Sequence, residues 1–125
     1  EMFRRVVFNI LSRNQDDHTK NIAFLMDRRG QWRLAPAYDL IYAYNPSGAW
    51  TSRHQMTLNG KRDAFETADL LAAATHADLR PPKAKAIIRE VHAAVADWQK
   101  FASAADVFFP AMKEIRSHLR LGLSA

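Results

Sequence analysis

The chain has 125 residues, 48% of them hydrophobic and 25% charged, with a net charge of +5 and no cysteine. This balance excludes disordered and low-complexity classes, and the length suits one domain over residues 1–125. The missing cysteines remove disulfide scaffolds, thiolate metal sites and cysteine nucleophiles and are compatible with a reducing cytoplasm; no apolar run reaches the roughly 20 residues that span a bilayer, and nothing at the front resembles a signal peptide.

Phe3, Val6, Val7, Ile10 and Leu11 recur at helical spacing, which predicts an opening helix ending between Ser12 and Asn14. The next eight residues, Asn14 to Asn21, are too polar to be a core element. Two short apolar runs, Ile22 to Met26 and Gln31 to Leu34, flank the turn-forming Asp27-Arg28-Arg29-Gly30 and predict a β-hairpin that Pro36 limits. From Asn45 to Arg62 the pattern breaks into loops and turns, marked by Pro46, Gly48, Asn59 and Gly60.

The remainder reads as helices. Thr67 to Thr75 is a short one, and Pro81-Pro82 opens a longer one. Its stripe runs Ala84, Ile87, Ile88, Val91, Val95, Trp98 and Phe101 without interruption, and Phe108, Met112, Ile115 and Leu119 mark a last helix with Asp106 near its start. The expected fold is therefore mainly α with one small β-hairpin, the apolar stripes forming its core.

The polar cluster is where chemistry can sit. Asp16 and Asn21 are separated by four residues, and a second carboxylate, Asp39, lies just beyond the predicted hairpin. Protein kinases use this order, in which an Asp accepts or orients the proton of the attacking hydroxyl while an Asn and a later Asp offer hard oxygen ligands to Mg²⁺. The hairpin would bring both ends to one point. A neighbouring lysine, here Lys20, would offset charge building on a transferred phosphoryl group. The spacing alone also admits plain turn roles for Asp16, Asn21 and Asp39, packing for Tyr38, a structural role for His18 and solvation for Lys20.

The literal strings narrow this. NQDDHTKN (Asn14 to Asn21), IAFLM after it and WRLAPAYDL (Trp32 to Leu40) resemble the C-terminal, helical lobe of HipA-like serine/threonine kinases, the toxins of HipBA-type toxin–antitoxin systems. That family carries an N-x-D-D-H-x-K-N motif and a later P-x-Y-D segment; MTLNGK (Met56 to Lys61) matches more loosely. The resemblance implies that Asp16 is the catalytic base, that Asn21 and Asp39 bind Mg²⁺, and that His18, Lys20 and Tyr38 fall, with Asn21 and Asp39, at the ATP site. It further implies a HipB-like DNA-binding antitoxin as partner, an aminoacyl-tRNA synthetase as a family-level substrate, and the cytoplasm as compartment.

Asp17 reads as a supporting or capping carboxylate, and His54, His76, His92 and His118 receive no role. The only glycines are Gly30, Gly48, Gly60 and Gly122, so no glycine-rich phosphate loop is present, and the chain is expected to be a fragment lacking the ATP-clamping lobe. Two other readings stand beside the kinase lobe: a non-catalytic antitoxin-docking or scaffold module, and a metal-dependent hydrolase built on Asp16, Asp17, His18 and Asp39. The arginines and lysines of the first half form either a solvated face or a patch for ATP, an acidic substrate or the antitoxin's operator complex. No nucleic-acid-binding motif accompanies them.

Overall fold

A computed structural model describes residues 1–125. Helix α1 (Met2–Ser12) buries Phe3, Val7, Ile10 and Leu11, the stripe expected from their spacing. It stops at Arg13, whose φ of 60° is left-handed. A non-glycine stop of this kind costs roughly 1–2 kcal/mol. Contacts of the Arg13 guanidinium oppose that cost: Nε donates to the His118 carbonyl at 2.8 Å, Nη1 donates to Gln15 at 3.0 Å, and the plane lies 4.4 Å from the Tyr44 ring centre.

Strands β1 (Phe24–Met26) and β2 (Trp32–Leu34) pair antiparallel, Phe24 opposite Leu34 and Met26 opposite Trp32. The turn is held by Asp27, whose carboxylate accepts from the backbone N–H of Arg29 and Gln31 at 2.8 and 2.9 Å. Both strands are exposed along almost their whole length. The hairpin thus adds little to the core and serves to fold the chain back on itself.

Residues 45–62 form turns, as their composition predicts. Leu58 and Lys61 exchange two backbone hydrogen bonds of 2.9 Å around Asn59 and Gly60, both at positive φ (49° and 76°). Asn-Gly is the preferred pair for such a tight turn. Helices α2 (Thr67–His76) and α3 (Pro81–Ala96) follow, and α3 carries proline in its first turn. Leu70, Ala74, Ala84, Ile87, Ile88, Val91 and Val95 from these helices join Phe65 and the apolar face of α1 in one buried cluster.

Three expectations need correction. The long C-terminal stripe is not one helix: the chain bends at Asp97 (ψ 11°), and Trp98 and Phe101 belong to a separate short helix, α4 (Trp98–Ala104). The apolar residues keep their 3.6-residue spacing in the sequence across Asp97, so periodicity cannot register the break. Phe101 is 55% exposed rather than core.

Asp106 does not open α5 (Phe109–His118), which has no acidic residue in its first turn. It closes α4 instead, at φ 52°, with its own N–H bonded to the Ser103 carbonyl and the Val107 N–H bonded to that of Ala102. That is the Schellman pattern of a helix C-terminus. Lastly, Arg5 is not part of a solvated basic face. It is buried, and its Nη2 donates to the Ala35 carbonyl at 2.5 Å.

Candidate functional site

The left-handed stop at Arg13 releases the chain into a short parallel pairing with the segment beyond the hairpin. Gln15 N–H donates to the Ala43 carbonyl at 3.2 Å, and Ala43 N–H to the Arg13 carbonyl at 3.1 Å. This lays residues 14–21 against residues 36–44. Asn14, almost fully buried, spans the two: its Nδ2 donates to the Asp39 carbonyl and to Asn9 Oδ1, each at 3.1 Å. Asp39 sits at φ 53°, a conformation Asp tolerates better than most residues.

Thr19–Asn21 make a single 3₁₀ turn. From it the Asn21 amide donates to Asp39 Oδ2 at 2.7 Å and to the Asp16 carbonyl at 3.2 Å. The Tyr38 hydroxyl donates to the Lys20 carbonyl at 2.7 Å. Asp16, Lys20, Asn21, Tyr38 and Asp39 are therefore neighbours, although the hairpin separates them in sequence.

Within that patch the two carboxylates face different hollows. Asn21, Tyr38 and Asp39 line a cavity of about 70 Å³ that reaches back to Arg5 and Asn14. Asp16 lines a shallower hollow with Thr19, Lys20, Trp50 and Gln55. His18 borders both, with Nε2 3.9 Å from Asp16 Oδ2 and a buried Nδ1 that has no partner. No three His, Cys, Asp or Glu side chains are placed to share a metal ion. The donor set that remains is the Asn21 amide and the Asp39 carboxylate, two hard oxygen sources of the kind Mg²⁺ accepts while water and phosphate fill its other positions. As placed, Asn21 turns its amide nitrogen toward Asp39, so ligation through its oxygen requires the amide to rotate.

A family model described as HipA-like C-terminal domain matches residues 1–98. The chain belongs to that family. Comparison with curated proteins gave no match. The matched span of this HipA-like C-terminal domain contains α1, the whole Asn14–Asn21 loop, the hairpin and Asp39, and ends where α4 begins. No helix in it is long and apolar enough to cross a membrane.

In the HipA-like domain Asp17 takes the supporting role its sequence context suggests, through a partner, His54, to which the sequence assigns none. Asp17 Oδ2 accepts from His54 Nδ1 at 2.8 Å, while its Oδ1 accepts from the backbone N–H of Gln55 at 2.8 Å and of Met56 at 3.3 Å. Burial pushes the Asp17 carboxyl up, but the His54 hydrogen bond and the two backbone amides outweigh it, and the net shift is below the usual value. Asp17 is thus the clasp that ties the loop to residues 54–56. His54 is 1% exposed. It lies 37 positions from Asp17, and a contact that distant leaves no periodicity or spacing in the sequence.

Proposed function

We propose that this chain is the helical lobe of a HipA-like serine/threonine kinase, transferring the γ-phosphoryl group of ATP to a protein hydroxyl. One observation carries the reading: a single amide, that of Asn21, bonds both the Asp16 carbonyl and the Asp39 carboxylate. In this reading Asp16 orients the acceptor hydroxyl and takes its proton as the oxygen attacks phosphorus and ADP departs. Asn21 and Asp39 hold Mg²⁺, which supplies positive charge to the phosphates when bound. His18, Lys20 and Tyr38 border the nucleotide. A HipB-like antitoxin is the proposed partner, and an aminoacyl-tRNA synthetase the proposed class of substrate.

A non-catalytic docking module is the second reading, favoured by the hairpin. Phe24, Met26 and Trp32 are 60%, 57% and 66% exposed on it. Side chains that alternate along paired strands share a face. Exposed apolar surface of that kind suits a protein partner.

The two readings separate by experiment. The chain alone, whose sequence holds no glycine-rich loop, is expected to bind Mg²⁺–ATP only at about millimolar concentration, worth roughly 4 kcal/mol, and to transfer nothing. In the complete gene product, Asp16→Asn should cut turnover by about 10²–10⁴-fold while ATP still binds. Asp39→Asn should weaken Mg²⁺-dependent nucleotide binding as well. Equal and mild effects of the two substitutions, by phosphate transfer and calorimetric ATP titration, would count against the kinase roles.

A further inference from the structure

Asp16 has no hydrogen-bond donor on its own carboxylate, and its one ion-pair contact is with His18 Nε2, at 3.9 Å. What aims it must therefore act through the residues beside it. Burial alternates along this stretch: Gln15 is fully buried, the Asp16 side chain is 41% exposed and that of Asp17 only 10%. The flanking side chains are anchored inward, and Asp16 is left projecting outward.

Both anchors meet at Arg120. Its Nη2 donates to Gln15 Oε1 at 3.1 Å and to Asp63 Oδ1 at 2.5 Å. Its Nη1 donates to the Ile10 carbonyl at 3.1 Å and to His54 Nε2 at 2.8 Å. Because a guanidinium can only donate, His54 Nε2 must accept, which leaves Nδ1 as the N–H that reaches Asp17. One tautomer satisfies the chain Arg120–His54–Asp17. Phe65 backs it, with the His54 ring edge-on at 5.3 Å and the Arg120 guanidinium 5.3 Å from its centre. Arg120 lies after α5 and beyond residue 98, where the family match ends.

We infer that His54 and Arg120 are positioning residues for the Asp16 loop: Arg120 fixes the His54 tautomer and Gln15, His54 fixes Asp17, and the two together aim the Asp16 carboxylate. This assignment rests on the kinase reading for its consequence in turnover, but not for its consequence in loop order. A buried polar network with every member satisfied holds one geometry. Displacing a reacting group by about 1 Å can cost on the order of 10²-fold in rate.

The test pairs two readouts on His54→Phe, which keeps a ring and loses both nitrogens, and His54→Asn, whose amide can still donate toward Asp17. By hydrogen exchange on the 125-residue chain, His54→Phe should speed the Gln15 and His18 amides about tenfold while α3 amides keep their rates. His54→Asn should restore most of the protection. In the complete gene product, kcat should fall about 10–100-fold for His54→Phe, with KM for ATP changed by less than about twofold.

Should His54→Phe fail to fold, Arg120→Met carries the same comparison. Unchanged exchange at Gln15 and His18 in a folded variant overturns the inference, and so does a loosened loop with undiminished kcat. If the unsubstituted gene product transfers no phosphate, the kinase reading falls, and the exchange comparison alone decides the positioning.

Discussion

Asp69 shows how much a single side chain can organise. Its Oδ2 accepts from Lys61 Nζ and from the Glu66 backbone N–H, each at 2.8 Å, and its Oδ1 accepts from Asn59 Nδ2 at 2.9 Å. These donors, Lys61 foremost, lower its pKa from 3.8 to about 2. The unfolded chain takes up the proton near the ordinary value and the folded chain only near 2. The ionised carboxylate therefore contributes stability that is complete above about pH 4 and is lost as pH falls toward 2. Thermal melts between pH 5 and pH 2 should show a steep acid limb in the native chain. Asp69→Asn should have a lower midpoint at pH 5 and a flatter limb, and an unchanged slope would remove Asp69 from the account. Asp17 and Asp63 are also held below the usual value, with the same sign.

At the scale of elements, two helices end on aspartate where glycine is the usual choice. Asp78 after α2 (φ 54°) and Asp106 after α4 (φ 52°) both occupy the left-handed position of a C-terminal cap, with Leu79 N–H bonded to the Ala74 carbonyl in the first case and Val107 N–H to that of Ala102 in the second. Neither needs a side chain there, and each accepts the Cβ penalty that glycine avoids. Asp78→Gly and Asp106→Gly should each raise stability by about 0.5–1 kcal/mol. Gly60→Ala should do the reverse. A Cβ at Gly60 meets nothing within 4 Å, so its effect is confined to the backbone at φ 76°. A loss of about 1 kcal/mol, read as a fall of about 4 °C in Tm, is expected. Opposite signs for the two kinds of change are what denaturation must show.

Taken whole, the molecule separates its apolar core from its candidate site. The core lies between α1, α2 and α3, with Ile88 and Leu70 fully buried. The loop that carries Asp16 and Asn21, and the segment after the hairpin that carries Asp39, hang from its rim, held by polar bonds from Asn14, Asp17 and Arg120. Ile88→Ala should cost about 2–5 kcal/mol through lost contacts and a cavity. Trp32→Ala on the exposed hairpin should cost within about 0.5 kcal/mol. Chemical denaturation of the two variants measures this division, and comparable losses would place the hairpin in the core.

Local features were readable from the sequence by itself. The stripe of α1, the proline start of α3, the Asp27–Gly30 and Asn59–Gly60 turns and the Asp16, Asn21, Asp39 order each depend on residues close together, whose spacing or backbone preference leaves a trace in the sequence. The family, too, was legible in the strings around Asn14 and Tyr38. The tertiary structure alone decided the bend at Asp97, the burial of Arg5, the two hollows on which Asp16 and Asp39 separately open, and the joining of Asp17 to His54 and Arg120. Those outcomes depend on contacts between residues far apart in the chain and on a bend that interrupts the helix without interrupting the apolar spacing of the sequence. Neither has a period, so each became visible only once the chain had folded back on itself.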